Sequence, residues 1–268
     1  MLTSLADKLS CRLSLSHEDR YALGDLAFTS ETKSANTHLA REGVRITSLL
    51  VIQSGWAMSS RLTSSGGRQI IAFHLPGDII GLGLFGEAEA DCSVQTLTSC
   101  QIAYASASAL IGLAMRSPAM MQALWIDLDV ECSILREWIV NIGRREGMTR
   151  VAHLICEMAA RQRIIGLGDD RSFPWPLTQE QVADAVGLTA VHVNRMIRRL
   201  RDRGLIDITQ REMIVLDWAT LKTEAEFKEA YLKLPTQRSA SPTAHGIDVR
   251  INSQAPMRKS HFLPTGRS

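Results

Sequence analysis

The sequence predicts an α+β protein. A β-rich first half is joined by one long helix to a helical C-terminal part that ends in a hairpin. Three observations predict this. Short β-branched or apolar runs alternate with turn residues between positions 49 and 104. An apolar seam then recurs at heptad spacing from Met121 to Ile142. Finally, two cap signals flank a pair of short amphipathic segments between Leu177 and Ile206.

In the first half, Leu49–Ile52, Trp56–Leu62 and Gln69–Leu75 read as strands, followed by Ser93–Leu97 and Gln101–Tyr104. Ser54-Gly55, Ser64–Gly67 and Pro76-Gly77-Asp78 supply the turns between them. Short strands at this spacing indicate a small sandwich or barrel, so residues 1–117 are expected to be mostly β. From Pro118 the period changes. Met121, Trp125, Leu128, Cys132, Leu135, Ile139 and Ile142 are spaced alternately four and three apart. Such a seam on a lone helix would leave its apolar edge in water, so a second helix is expected against it, in a parallel two-stranded dimer. Packing on the chain's own domain is the alternative. Cys132 would lie near the dimer axis, as a small hydrophobe or as a redox-sensitive thiol. Gly143–Gly147 reads as a hinge and Met148–Ile164 as a further helix.

The segment LTQEQVADAVGLTAVHVNRMIRRLRDRGLI, residues 177–206, reads as a helix-turn-helix. Thr178 caps the first helix with Gln181 as its capping-box partner, and Gly187 suits the turn. Thr189 caps the second helix. There Val193, Met196, Ile197 and Leu200 form the buried stripe. At about 100° per residue the opposite face centres on Val191, Arg195 and Arg198, flanked by Asn194 on one side and by His192 and Arg199 on the other. Arginine forks match guanine, and Asn matches adenine, so this face suits a DNA major groove, with Arg203 near the helix end for phosphate. A merely solvated face is the bland alternative. Leu205–Ile208 and Met213–Leu216, flanking the turn TQRE, read as a hairpin, which makes the unit a winged helix-turn-helix.

Charge and composition bound the partners. The formal net charge is +2. Residues 235–268 carry five Lys or Arg against one acid, so the rest of the chain is slightly acidic. DNA affinity must therefore come from a local patch, and Arg195–Arg203, with five arginines and one aspartate, is the best one. No apolar run is long enough to span a membrane, no signal peptide is seen, and five scattered cysteines form no disulfide framework, so a cytoplasmic protein is expected. The tail holds four of the eight prolines and is expected to be disordered.

Together these motifs resemble the Crp/Fnr family of bacterial transcription regulators over about residues 15–234. LLVIQSGWAMSSRLTSSGGRQIIAFHLPGDIIG, residues 49–81, is similar to the jelly-roll-like β-roll of that family's cyclic-nucleotide-binding-like domain, and residues 177–206 are similar to its DNA-binding segment. The resemblance implies a sensor roll over 1–117, a dimerisation helix and hinge over 118–147, a winged helix-turn-helix over 148–234 and a disordered tail over 235–268. It also implies a homodimer that binds double-stranded DNA through residues 190–202, meeting RNA polymerase if it activates. The departures bear on the effector. Family members that bind cyclic AMP hold the ribose with Gly-Glu-Leu and the phosphate with Arg-Ser-Ala. Here those stretches read Gly81-Leu82-Gly83 and Ala90-Asp91-Cys92. Without the carboxylate and the guanidinium, and with Asp91 facing the phosphate position, cyclic AMP is not expected. Oxygen-sensing members gather N-terminal cysteines around an iron–sulfur centre. Only Cys11 precedes Cys92 here, which argues against that cofactor too. Many members place Glu and Arg four apart on the recognition helix, but Val191 stands at the Glu position, so the target sequence is not transferable.

Other chemistries find little support. No HExxH or CxxC spacing suggests zinc, GLGLFG at 81–86 lacks the following helix of a dinucleotide loop, and no catalytic constellation is present, so no enzyme is expected. His74 could line a ligand cavity or be an ordinary core histidine. Cys92 and Cys100 lack the neighbouring cation that would stabilise a thiolate. Two function classes remain: a dimeric DNA-binding regulator with an effector other than cyclic AMP or none, and a ligand-binding or scaffold module with a vestigial DNA-binding domain. Effector, target sequence, sign of regulation and the tail's role are not written in these motifs.

Overall fold

The computed structural model describes residues 2–81, 89–169 and 171–234. The chain opens with two short helices, α1 (Thr3–Ser10) and α2 (His17–Gly24). Eight strands follow: β1 (Phe28–Lys33), β2 (His38–Ala40), β3 (Leu49–Ser54), β4 (Ala57–Leu62), β5 (Arg68–His74), β6 (Ile79–Ile80), β7 (Ser93–Thr96) and β8 (Cys100–Ala105). They pair antiparallel into two four-stranded sheets, ordered β1-β8-β3-β6 and β2-β7-β4-β5. Leu50, Ile52, Val94 and Ile102 fill the space between the sheets. On the outer face of the first sheet, Leu49, Val51 and Ala103 meet Leu5 and Leu9 of α1 and Leu110 and Leu113 of α3 (Ala107–Arg116). Strand β3 is thus covered on both sides, which is why Leu49–Ile52 is apolar without alternation.

The expectation that residues 1–117 are mostly β needs correction, because α1, α2 and α3 are helical, and strands β1, β2 and β6 were not foreseen. Helix α1 buries Leu2, Leu5 and Leu9 on one stripe. Helix α2 begins with a capping box between Ser16 and Asp19. Both helices are only eight residues long, a length that is marginal in isolation. Tertiary contact holds α1 in place. It docks on the Pro76-Gly77-Asp78 corner so closely that a Cβ on Gly77 would lie 2.6 Å from the Ser4 carbonyl oxygen and 2.8 Å from the Lys8 Cβ. With φ at +92°, position 77 demands glycine on both counts.

Helix α4 runs from Pro118 to Arg144, with Ser117 capping the Met120 amide. Its inner face, including Met120, Leu124, Val130, Ile134 and Trp138, packs on the rest of the chain. The break before α5 (Gly147–Ile164) falls at Arg145 and Glu146, so the expected hinge at 143–147 is narrower, and Gly143 is itself helical. Helix α5 is buried along most of its length. Beyond it lie β9 (Ser172–Pro174), α6 (Gln179–Val186), α7 (Ala190–Asp202), β10 (Ile206–Thr209), β11 (Glu212–Val215), α8 (Trp218–Glu224) and a 3-10 turn (Glu229–Leu232). The wing is a three-stranded sheet, β10-β11-β9, rather than a lone hairpin. Its turn is also tighter than the four residues TQRE. Thr209 pairs with Glu212, and Gln210 and Arg211 alone turn the chain, with φ of 50° and 66°. The expected disordered tail, 235–268, lies outside the described residues.

Candidate DNA interface

Local sequence builds the helix-turn-helix. The Thr178 side chain accepts from the Gln181 amide, and the Gln181 side chain accepts from the Thr178 amide. Gly187 ends α6 in the left-handed conformation, φ 65°. Thr189 then caps α7 at the His192 amide. Val193, Met196, Ile197 and Leu200 are buried against α5 and α6. Their opposite number, Val191, is 82% exposed, and Asn194, Arg195, Arg198 and Arg199 are exposed beside it. Among the described residues Arg195, Arg198 and Arg199 form no ion pair, so three cations stand free on one helix face.

The flanking residues differ in detail from one another. The Asn194 side-chain amide donates to the Gln179 Oε1 at 3.0 Å, so it is held at the first turn of α6. His192 is half-buried and turns toward the start of α5, where a Cβ on Gly147 would come within 3.1 Å of its Nε2. Arg203 donates to Glu224 at 2.7 Å. That pairing ties the C-terminal end of α7 to α8 and leaves Arg203 less available than the three arginines before it. The wing adds a cation that sequence reasoning passed over. Arg211 sits exposed at the tip of the β10–β11 turn. Its signal in the sequence is the Gln-Arg pair of the hairpin loop, which the two-residue turn places at the tip.

The heptad stripe of α4 is the second feature of the region. Trp125 and Ile139 are each 71% exposed, Leu135 is 45% and Met121 38%, Cys132 is exposed, and Leu128 and Ile142 are half-buried. The same helix buries its other side, so the exposed stripe is not an unpacked helix. It is a distinct apolar face.

Leu82 and Gly83 lie outside the described residues, as does most of GLGLFG. Ala90 is buried and its amide donates to the Val44 carbonyl, while Asp91 is exposed. No guanidinium side chain is offered at position 90. Burial pushes the Cys92 and Cys100 thiols up, which keeps both in the unreactive thiol form. His74 is buried, bonds Ser59 Oγ at 2.7 Å, and is held down to about 4 by burial, reinforced by Arg161 and Lys8 and opposed by Asp78. It is a neutral core histidine and also lines a cavity, so both readings of it apply. No group of three or more His, Cys, Asp or Glu among the described residues is arranged to hold a metal ion. No helix among them is long and apolar enough to cross a membrane.

Comparison with known proteins follows the same division of the chain. Residues 31–117 match the cyclic nucleotide-binding domain, and residues 149–224 match the Crp-like helix-turn-helix domain. The two matches occur in this order and together cover more than half of the chain. The chain belongs to the Crp/Fnr family. Relatives of this regulator include the transcriptional activator protein FnrA of Stutzerimonas stutzeri, 23% identical over 76% of this chain and 84% of that protein. The nitrogen fixation regulation protein FixK of Bradyrhizobium diazoefficiens is 29% identical over 72% of this chain and 79% of its own length. In fold, the regulator is similar to FixK2 from Bradyrhizobium japonicum, with a TM-score of 0.66 over 74% of this chain and 97% of that one, at 24% identity. The protein is therefore a transcription regulator of Crp/Fnr type rather than a scaffold with a relic domain.

Proposed function

We propose that this regulator works in the cytoplasm as a homodimer joined along the exposed stripe of α4, and that each protomer lays α7 into a major groove. Two such helices reach successive grooves on one face of a pseudo-palindromic site, about 34 Å apart. The observation that carries the reading is the free cationic face of α7 on a helix whose other side is fully buried. Arg195, mid-face, reads a guanine through a bidentate pair worth about 1–3 kcal/mol of discrimination. Val191 cannot accept a hydrogen bond and packs on a thymine methyl. Arg198, Arg199, Arg203 and Arg211 meet phosphates, and Thr178 and Thr189 present their helix N-termini to the backbone. If the regulator activates, RNA polymerase is its further partner. It answers an effector other than cyclic AMP, or none, and the four regions 1–117, 118–147, 148–234 and 235–268 serve as sensor, dimer helix, DNA reader and tail.

Binding selection on randomised duplexes tests this. Wild type should return a two-fold symmetric motif. Arg195→Ala should relax one symmetric pair of positions, and Arg211→Ala should weaken all sequences and flatten the salt dependence by about one unit of slope. An unchanged motif with Arg195→Ala would remove this face from base reading.

A further inference from the structure

A cavity of about 130 Å³ lies where α1, the Pro76-Gly77-Asp78 corner, α4 and α5 meet. One wall is ionic. Lys8 bridges Asp78 and Asp127, at 2.8 Å to each. Arg161 donates to Asp78 at 3.1 Å, to the Phe73 carbonyl at 2.8 Å and to Glu157 at 3.5 Å. These two cations are fully engaged. Arg12 is not. Its Nη1 pairs with Asp127, but its Nε, on a side chain only 7% exposed, is buried without a hydrogen-bond partner among the described residues. A buried guanidinium N–H without an acceptor is costly, so this edge of Arg12 favours binding one. The rest of the lining includes an apolar part, Ile71, Val130, Ile134, Ile164 and Ile165.

Size, charge and shape identify what fits. A cavity of about 150 Å³ lined by Leu, Ile and Phe holds a benzene ring, so this one admits a body of that order. Water alone would satisfy the Nε but would leave the apolar wall wet. The side-on edge of a guanidinium, Nε–H with its neighbouring Nη, matches the two oxygens of a carboxylate, and a charge-assisted bond is about twice as strong as a neutral one. We propose that this cavity binds a small monocarboxylate with an apolar body, its oxygens on the side-on edge of Arg12 and its body against Ile134 and Ile164. Glu131, also on the wall, has its carboxyl pushed up to about 7 by burial, with Asp127 and Asp78 adding to the effect and Lys8 opposing it. Below that pH it lends a hydroxyl rather than a repelling charge. Leu135 belongs both to the cavity and to the exposed stripe of α4, and Arg161 belongs to α5, so an occupant touches the dimer face and the support of α7 together. That regulatory consequence rests on the DNA-binding function proposed above, whereas binding itself does not.

The test is titration calorimetry on the full chain without DNA, at pH 6.5, with sodium benzoate as probe and benzamide and inorganic phosphate as controls. Benzoate should saturate at one per chain, with benzamide at least tenfold weaker and phosphate silent. Arg12→Lys keeps the charge but lacks the edge, and should weaken benzoate at least tenfold. Because Arg12 also pairs with Asp127, Ile164→Trp serves as an independent variant that fills the cavity, and it should abolish binding while melting cooperatively. Absence of saturable benzoate binding, equal affinity for benzamide, or undiminished binding by Ile164→Trp overturns the site. A protein that takes benzoate but selects no DNA motif refutes the DNA reading and leaves the site standing. The reverse result does the opposite.

Discussion

Replacing Trp125 and Ile139 with Asp tests the dimer most directly. The two lie two heptads apart, at equivalent positions, and each is 71% exposed in the single chain. Full burial of a large apolar side chain contributes about 2 kcal/mol, so burying the exposed share of four such side chains across a two-fold interface gives about 6 kcal/mol. Losing that raises the dimer dissociation constant by about four orders of magnitude, before any penalty for placing four carboxylates at the seam. Neither side chain supports the protomer's own core, so far-UV circular dichroism and cooperative melting should persist. Sedimentation velocity should show wild type as a dimer and the double variant as a monomer at the same concentration. A double variant that sediments as a folded dimer would mean the stripe is covered by something other than a second copy, and the heptad argument would fail.

Two further outcomes follow from the same geometry. Calorimetric titration with cyclic AMP should give no saturable binding, since no arginine stands at position 90; tight binding coupled to stronger DNA affinity would refute this. Stability should respond to pH in opposite senses in two windows. His74 and His153, both held down to about 4 mainly by burial, titrate at 6.5 when unfolded, so each stabilises fully above pH 6.5 and loses up to about 3 kcal/mol as pH falls toward 4. Around His153 stand Arg145, Glu137, Glu226 and Tyr231, and around His74 stand Asp78, Arg161 and Lys8. Glu131 works the other way, since its carboxyl titrates at 4.5 unfolded and about 7 folded, and its contribution is lost as pH rises between them. Glu131→Gln should therefore gain about 2–3 kcal/mol over wild type between pH 5 and pH 7.5 in urea unfolding, and parallel pH profiles for the two proteins would show that Glu131 ionises normally.

The helix-turn-helix was legible because its signals are local. Thr178, Gln181, Gly187 and Thr189 each act within four residues, and the stripe Val193, Ile197 and Leu200 needs only helical period. The strands from β3 to β5 were legible for a similar reason, with turn residues marking their ends. Strand β9 was not. It is three residues long, ends in Pro174, and exists because β11 offers it a partner. Helix α1 carries the right spacing in Leu2, Leu5 and Leu9, but Lys8 is buried among them, and a lysine on the inner face reads as contrary evidence until Asp78 and Asp127 are known to be there. The ionic cluster as a whole could not be read from sequence, since its members come from positions 8, 12, 78, 127 and 161, and no local pattern brings them together.

That cluster joins the β-roll to the helix on which α7 packs. Helix α5 meets the β-roll through Arg161, which holds the Phe73 carbonyl and Asp78, and on its inner side carries Glu157, bonded by Trp138 of α4 and by Tyr231 beyond α8. The same helix packs against Val193 and Leu200 of α7. A shift of the Pro76-Gly77-Asp78 corner would therefore reach α5, the helix on which α7 packs. The energies are of the right size. Breaking one partner out of a buried ion pair costs about 3–5 kcal/mol, whereas coupling free energies between sites are typically about 1–3 kcal/mol. A partial rearrangement of these pairs is thus enough to bias α7, while complete loss of one would unfold the joint rather than switch it. Coupling between distant sites is carried by packed networks that have discrete arrangements, and the regulation proposed above would use this ionic joint in that way.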